Sequence, residues 1–184
     1  MKMTKIKCLS VGCGTKPERS TESEEWVNAD ICPIEGVIEL NLDKVPYDFK
    51  DNTFDMIKMY SVLEHLGNYE NAIKELKRIS KDGAKWKVRV PFPFAPGNDS
   101  EFHRIRFRYN SFGNTPKKFL TDAEQNDIYR GIETVKRYMS FDNTPLIGGI
   151  IGFFANKLPR VYNNSFLRFL FPAHHIYFIL RIRK

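Results

Sequence analysis

The chain has 184 residues, 42% hydrophobic and 28% charged, with a formal net charge of +7. That length fits one domain with its own core, and that balance excludes a disordered chain. No apolar run reaches the roughly 18–20 residues that span a bilayer, and three cysteines (Cys8, Cys13, Cys32) without Cys-x-x-Cys spacing point to neither a disulfide framework nor a cysteine zinc site.

The N-terminal stretch carries charge but no apolar h-region, so the expected location is cytoplasmic. From Asn143 to Lys184 there is no acidic residue, against Lys157, Arg160, Arg168, Arg181, Arg183 and Lys184. This asymmetry points to an anionic partner or to a solvated basic face.

Residues 5–11 read as a first strand that runs directly into Gly12-Cys13-Gly14. A polar stretch in which a full crossover helix barely fits, so that a short or irregular one is expected, leads to a second strand, Trp26–Asp30. Glycines at such a turn let backbone approach a ligand, and a carboxylate ending the next strand accepts hydrogen bonds from a ribose diol. The pattern therefore predicts a nucleoside-type cofactor site. Pro17 stands where a dinucleotide fingerprint needs its third glycine, and no Tyr-x-x-x-Lys pair accompanies it.

Further strands are expected at Gly36–Leu40 and Phe54–Tyr60. A helix at Tyr69–Ser80 follows from Ala72, Ile73, Leu76 and Ile79 at helical spacing, with Ser61 or Asn68 as its cap and Asp82-Gly83 as its stop. Strands at Trp86–Pro91, Glu133–Phe141 and His175–Arg183 complete an α/β pattern with a parallel sheet. Ligands in such sheets sit at the carboxyl ends of the strands. That rim comprises Gly12–Gly14, Asp30, Asn41–Asp43, Tyr60–His65 and the stretch after Val90.

Together these segments resemble the class I S-adenosylmethionine-dependent methyltransferases of the small type-11-like group. The motifs are Leu9-Ser-Val-Gly-Cys-Gly-Thr-Lys-Pro17, Trp26-Val-Asn-Ala-Asp30, Val45–Ile57, Ser61-Val-Leu-Glu-His-Leu66 and Glu75–Gly83. The match is good over residues 5–91 and loose beyond. The resemblance implies a Rossmann-like, doubly wound seven-stranded sheet, mostly parallel with an antiparallel last strand. It also implies one methyltransferase domain over 1–184, with 5–91 as the donor-binding half and 92–184 as the acceptor-side half. S-adenosylmethionine would be the methyl donor. Gly12, Cys13 and Gly14 would admit its methionine part, Asp30 would hold its ribose, Asn41 and Leu42 would border its adenine, and Tyr60 and Ser61 would close on the sulfonium. Ser10 and Asn41 depart from the group's usual acidic residues.

Glu64, His65 and His103 lie on the acceptor side of that rim. His65 or His103 is a candidate base for a hydroxyl acceptor. Small-RNA and ubiquinone-pathway O-methyltransferases carry Glu-x-x-Glu-His at the first of these positions. Here the first glutamate is Ser61, so no metal is assigned, although the trio has the donor types of a divalent-cation site. The bland alternative places Glu64 at a helix N-terminus and His65 against the donor site.

Between about 143 and 173 an aromatic, basic insertion has Leu158, Val161, Tyr162, Phe166, Phe169 and Leu170 near helical spacing. A lid, a subunit contact or peripheral membrane contact through 146–172 would each use it. The expected function is methyl transfer to a small-molecule, glycoconjugate or lipid-linked acceptor, with oxygen favoured as the atom methylated. The alternatives are a non-catalytic S-adenosylmethionine-binding protein and an RNA-modifying methyltransferase. Arginines interleave with aromatics at 102–109, but no RNA-binding motif accompanies them, so nucleic acid is not assigned as a partner.

Overall fold

The structure is a computed structural model, and it describes residues 5–93, 95, 100–112, 128–141 and 148–184. Seven strands form one sheet: β1 (Ile6–Val11), β2 (Glu24–Asp30), β3 (Ile38–Glu39), β4 (Phe54–Tyr60), β5 (Ser80–Pro91), β6 (Ile132–Ser140) and β7 (His175–Ile182). Their spatial order is β3-β2-β1-β4-β5-β7-β6. The pairs from β3 to β5 are parallel, and β7 runs antiparallel to both β5 and β6. This is the Rossmann-like, mostly parallel sheet the motifs imply.

The chain winds outward from β1 to β3, then returns to place β4 on the other side of β1. The carboxyl ends of β1 and β4 therefore form a topological switch point, where open α/β sheets leave a crevice.

One sheet face is apolar because alternate residues of the central strands are. Leu9, Ile57, Met59, Trp86, Val88 and Phe178 are fully inaccessible there. Helix α1 (Tyr69–Ile79) covers them with Ala72, Ile73, Leu76 and Ile79, the 3.6-residue stripe read from the sequence. Among the described residues, the connections β1–β2, β2–β3 and β3–β4 contain no helix, in keeping with the short polar run before Trp26.

Helix α1 starts at Tyr69 behind Asn68, as expected, but its two ends are held in ways the sequence did not show. Asn68 is the N-cap residue, but its side chain makes no cap bond. The carboxylate of Asp43 does so from another segment, accepting the N–H of Gly67 at 3.0 Å and of Asn68 at 2.9 Å. A carboxylate is favoured at that end by the helix dipole. At the other end Asp82-Gly83 is not the stop. The helix ends at Ile79, and Ser80 enters β5 directly. Gly83, at φ +76, turns within a bulge of β5 between the pairs Phe54–Ser80 and Met56–Lys85.

The insertion is also not one helix. It folds as α2 (Gly148–Lys157), α3 (Pro159–Asn164) and α4 (Leu167–Leu170), broken where Ser165 adopts an extended conformation. Its expected first residues, 143–147, lie outside the described residues. Among the described residues no helix is long and apolar enough to cross a membrane.

The sheet and α1 are locked by a short polar chain inside the core. Trp86 Nε1–H donates to Ser80 Oγ at 2.8 Å, and Ser80 Oγ–H donates to the Leu76 carbonyl at 2.7 Å. Both side chains are fully buried, so Ser80→Ala leaves the indole N–H unpaired. That substitution is expected to cost about 1–3 kcal/mol, read as a lower denaturation midpoint in urea at unchanged slope.

Candidate active site

The crevice is built by the absence of a side chain. A Cβ on Gly12 would lie 2.3 Å from Val62 Cγ2, and Gly12 has φ +62, so the ends of β1 and the β4 turn meet only because position 12 is glycine. Gly14 has φ +54, and a Cβ there meets nothing within 4 Å. The first glycine closes the turn and the second opens onto free space.

Asp30 holds this loop in place. Its Oδ2 accepts the Gly14 N–H at 2.8 Å and its Oδ1 accepts the Cys32 N–H at 3.0 Å. Cys13 N–H reaches the Ala29 carbonyl at 3.3 Å, and burial pushes the Cys13 thiol upward, with Asp30 adding to the effect. The carboxylate thus has two backbone donors of its own and keeps the second lone pair of each oxygen.

Asn41 is brought beside Asp30 by the Leu40 N–H, which donates to the Asp30 carbonyl at 2.7 Å. Asn41 Oδ1 accepts the Asp43 N–H at 2.9 Å, and the buried Tyr47 hydroxyl donates to the Leu42 carbonyl at 2.8 Å. Gly12–Gly14, Asp30, Asn41 and Leu42 therefore sit at the ends of β1, β2 and β3 along one rim.

Tyr60 ends β4 with its ring 4.4 Å from Lys58 Nζ and 4.9 Å from the Arg89 guanidinium carbon, edge-on to Tyr177. Ser61 follows at φ +56, a left-handed conformation unfavourable for a residue with a Cβ. Its N–H donates to the Arg89 carbonyl at 2.9 Å, and Arg89 Nη2 donates to its Oγ at 3.3 Å. The strained turn re-aims the chain into the short 3-10 turn Leu63–His65.

That turn brings together the three acceptor-side residues. One ligand atom from each of Glu64, His65 and His103 lies within 4.8 Å of the others. The imidazole centroids are 4.9 Å apart, and His65 Nδ1 lies 3.2 Å from the Phe102 carbonyl oxygen. The Glu64 carbonyl accepts the N–H groups of Arg104 and Ile105, at 2.8 and 3.1 Å, which pins the stretch carrying His103 beside it.

Glu64 does not cap α1. The 3-10 turn ends at His65, three residues before the helix, and the cap there is Asp43. The Glu64 side chain is instead buried, 1% exposed, and neither carboxylate oxygen has a hydrogen-bond partner among the described residues. Burial raises its pKa, opposed by the charges of His103 and Arg89. Three features here are invisible to sequence spacing: Val62 against Gly12, Arg89 beneath Ser61, and Asp43 on α1.

Two outcomes follow. Gly14→Ala is expected to fold at a cost of about 1–2 kcal/mol for its left-handed backbone, whereas Gly12→Ala loses more because Val62 must also move; paired urea titrations compare them. A raised carboxyl pKa means the folded state holds the proton more tightly, so stability present at low pH is lost as pH climbs through the raised value. Glu64→Gln should match the native protein below the ordinary carboxylate range. Above it the variant becomes the more stable, by about 1–3 kcal/mol for an unsatisfied buried group, read as melting temperature against pH.

A family model described as Methyltransferase domain matches residues 9–86. No curated protein matches the chain in sequence. Solved structures similar in fold include an S-adenosylmethionine-dependent methyltransferase from Mesorhizobium loti, at 11% identity and TM-score 0.56, covering 98% of this chain and 93% of that one. The YcgJ protein of Bacillus subtilis is similar at 12% identity and TM-score 0.54, with 99% and 93% covered. The cyclase SpnF is similar at 15% identity and TM-score 0.55, with 98% and 76% covered. Identities this low bear on the fold, and that fold hosts more than one reaction. The glycine turn, the strand order and the match over residues 9–86 agree: that stretch is similar to a methyltransferase domain, set in a fold shared with S-adenosylmethionine-dependent methyltransferases.

Proposed function

We propose that the chain transfers a methyl group to a hydroxyl oxygen of a small-molecule, glycoconjugate or lipid-linked acceptor, with His65 as the base. Residues 5–91 form the donor side and residues 92–184 the acceptor side. The observation that carries the reading is the cluster of Glu64, His65 and His103 one turn beyond Ser61, on the rim that also holds Gly12–Gly14.

S-adenosylmethionine supplies an electrophilic methyl group when bound. The site fits it: Gly14 faces open space, Asp30 retains lone pairs for the ribose hydroxyls, and Asn41 and Leu42 border the same rim. Methyl transfer asks little of a protein beyond alignment and removal of the acceptor's proton. A carbonyl oxygen only accepts, so the Phe102 contact puts the proton of neutral His65 on Nδ1 and leaves Nε2 to receive one.

A divalent cation is the second reading, favoured by the approach of three ligand atoms to within 4.8 Å. Two imidazoles and a carboxylate suit a borderline metal such as zinc. In that reading added metal raises the melting temperature of the native protein but not of Glu64→Gln, and chelation stops turnover. Turnover that survives exhaustive chelation sinks it.

The test of the main reading is isothermal titration with S-adenosylmethionine, S-adenosylhomocysteine and NAD, then transfer of labelled methyl to a panel of hydroxyl acceptors. Both adenosyl compounds should bind and NAD should not. His65→Ala should bind the donor as well as the native protein while losing about 10²–10⁴-fold in turnover. Donor binding with no transfer to any acceptor would favour the non-catalytic binding protein instead.

A further inference from the structure

The insertion α2–α4 is apolar on the wrong side for a segment in water. Along α2 the small residues face inward. Gly148 and Ala155 are buried, and a Cβ on Gly152 would lie 3.1 Å from the Phe141 ring. The large residues face outward: Ile150, Phe153 and Phe154 are each about 60% exposed. Leu158, Val161 and Phe166 continue the outer surface. Among the described residues, nine of the fifteen exposed large apolar side chains fall between positions 150 and 170, so the exposure is one patch rather than scatter.

The fold holds this patch outward with specific bonds. Asn156 clamps α2 to β6, accepting the Met139 N–H at 2.7 Å and donating to the Met139 carbonyl at 2.9 Å. The Tyr162 hydroxyl donates to the Phe171 carbonyl at 2.7 Å and accepts the Ala173 N–H at 2.9 Å. Between the helices lies a cavity of about 370 Å³ lined by Ile151, Phe154, Leu158, Tyr162, Leu167 and Phe171 among others. With the Tyr162 hydroxyl committed to backbone, the lining is hydrocarbon and aromatic ring.

The charge around the patch is of one sign. Lys157 and Arg160 are exposed beside it, and no acidic residue occurs from 143 to 184. A second copy of this chain, docked patch to patch, would bring those cations together with no acid in the segment to pair them. An anionic lipid surface answers both halves of the pattern, with phosphate for the cations and acyl chains for the aromatics.

We propose that α2–α4 is a monotopic membrane-docking element that lies in the headgroup region of an anionic bilayer and takes one lipid acyl chain into its cavity. This does not depend on the transfer reaction. It does orient it, because the insertion springs from the sheet edge where Pro91, His175 and Ser140 lie in register. That edge is the carboxyl end of parallel β5, so the donor crevice opens on the same side.

The test is co-sedimentation of the full chain with phosphatidylcholine vesicles, with and without one-third phosphatidylglycerol. Binding to the anionic vesicles is expected, falling with salt. Phe153→Ser with Phe166→Ser should weaken it about tenfold or more, and Lys157→Glu with Arg160→Glu should abolish the preference for anionic lipid. All four positions are exposed, and an unchanged melting temperature confirms each fold. Phe166→Trp keeps the apolar bulk and should be quenched by bromines placed on the acyl chains. Absence of vesicle binding at low salt overturns the proposal, as does a solution dimer that the serine variants dissociate while the native protein ignores lipid. Equal binding to both vesicle types overturns the electrostatic half.

Discussion

The contact on which this site depends is the approach of Val62 to the backbone of Gly12. It is a packing constraint between two strand ends and involves no charge. Any larger residue at position 12 would push the β4 turn away from β1. Ser61, Glu64 and His65 all follow from that turn, so the separation between donor side and acceptor side is fixed by one missing methyl group. The left-handed conformation of Ser61 stores strain at the same point. Its bonds to Arg89 on β5 hold the strained turn there, which makes β5 as necessary to the crevice as the strands that line it.

Polar ties do for this protein what helices do in a fuller α/β sheet. The path from β3 to β4 contains no helix, yet it is fastened to both ends of α1. Asp43 holds the N-terminal end. At the other end Arg78 donates to the carbonyls of Phe49 and Tyr47 and to Asp51, while Glu75 accepts the Tyr47 N–H. Arg78 in turn holds the Glu75 carboxyl below the usual range. Part of this network is shielded from solvent, where paired charges are worth more than at a free surface.

What was legible in the sequence is what depends on neighbours along the chain. Glycine spacing, the apolar period of residues 72–79 and the acid ending β2 each encode a local geometry, and together they marked a parallel α/β sheet and its rim, while the antiparallel last strand came from the family resemblance. The orphan carboxylate of Glu64 was not legible, because its surroundings include a segment about forty residues away, where Arg104 and Ile105 bind the Glu64 carbonyl. Asp43 as the cap of α1 was missed for the same reason. Asp82-Gly83 misled in the opposite way: a real turn signal was spent on a strand bulge rather than a helix end. In the insertion the spacing of Leu158, Val161 and Tyr162 was visible, but only the packing of Gly152 on Phe141 shows which side of α2 is inside.

The place of β7 has a consequence for how the chain reaches this state during synthesis. It lies between β5 and β6 although it follows both, so β6 has no edge to join until β7 has left the ribosome and paired with β5. The donor half, from β1 to β5, has contacts that are mostly closer in sequence and can assemble as the chain emerges. Until β7 arrives, β5 presents an open edge with Trp86, Val88 and Val90 beside it, the kind of edge that recruits other chains. The nascent protein therefore passes through an interval in which its crevice is half built and its stickiest strand is uncovered, and the antiparallel strand that ends this interval also completes the edge from which the insertion rises.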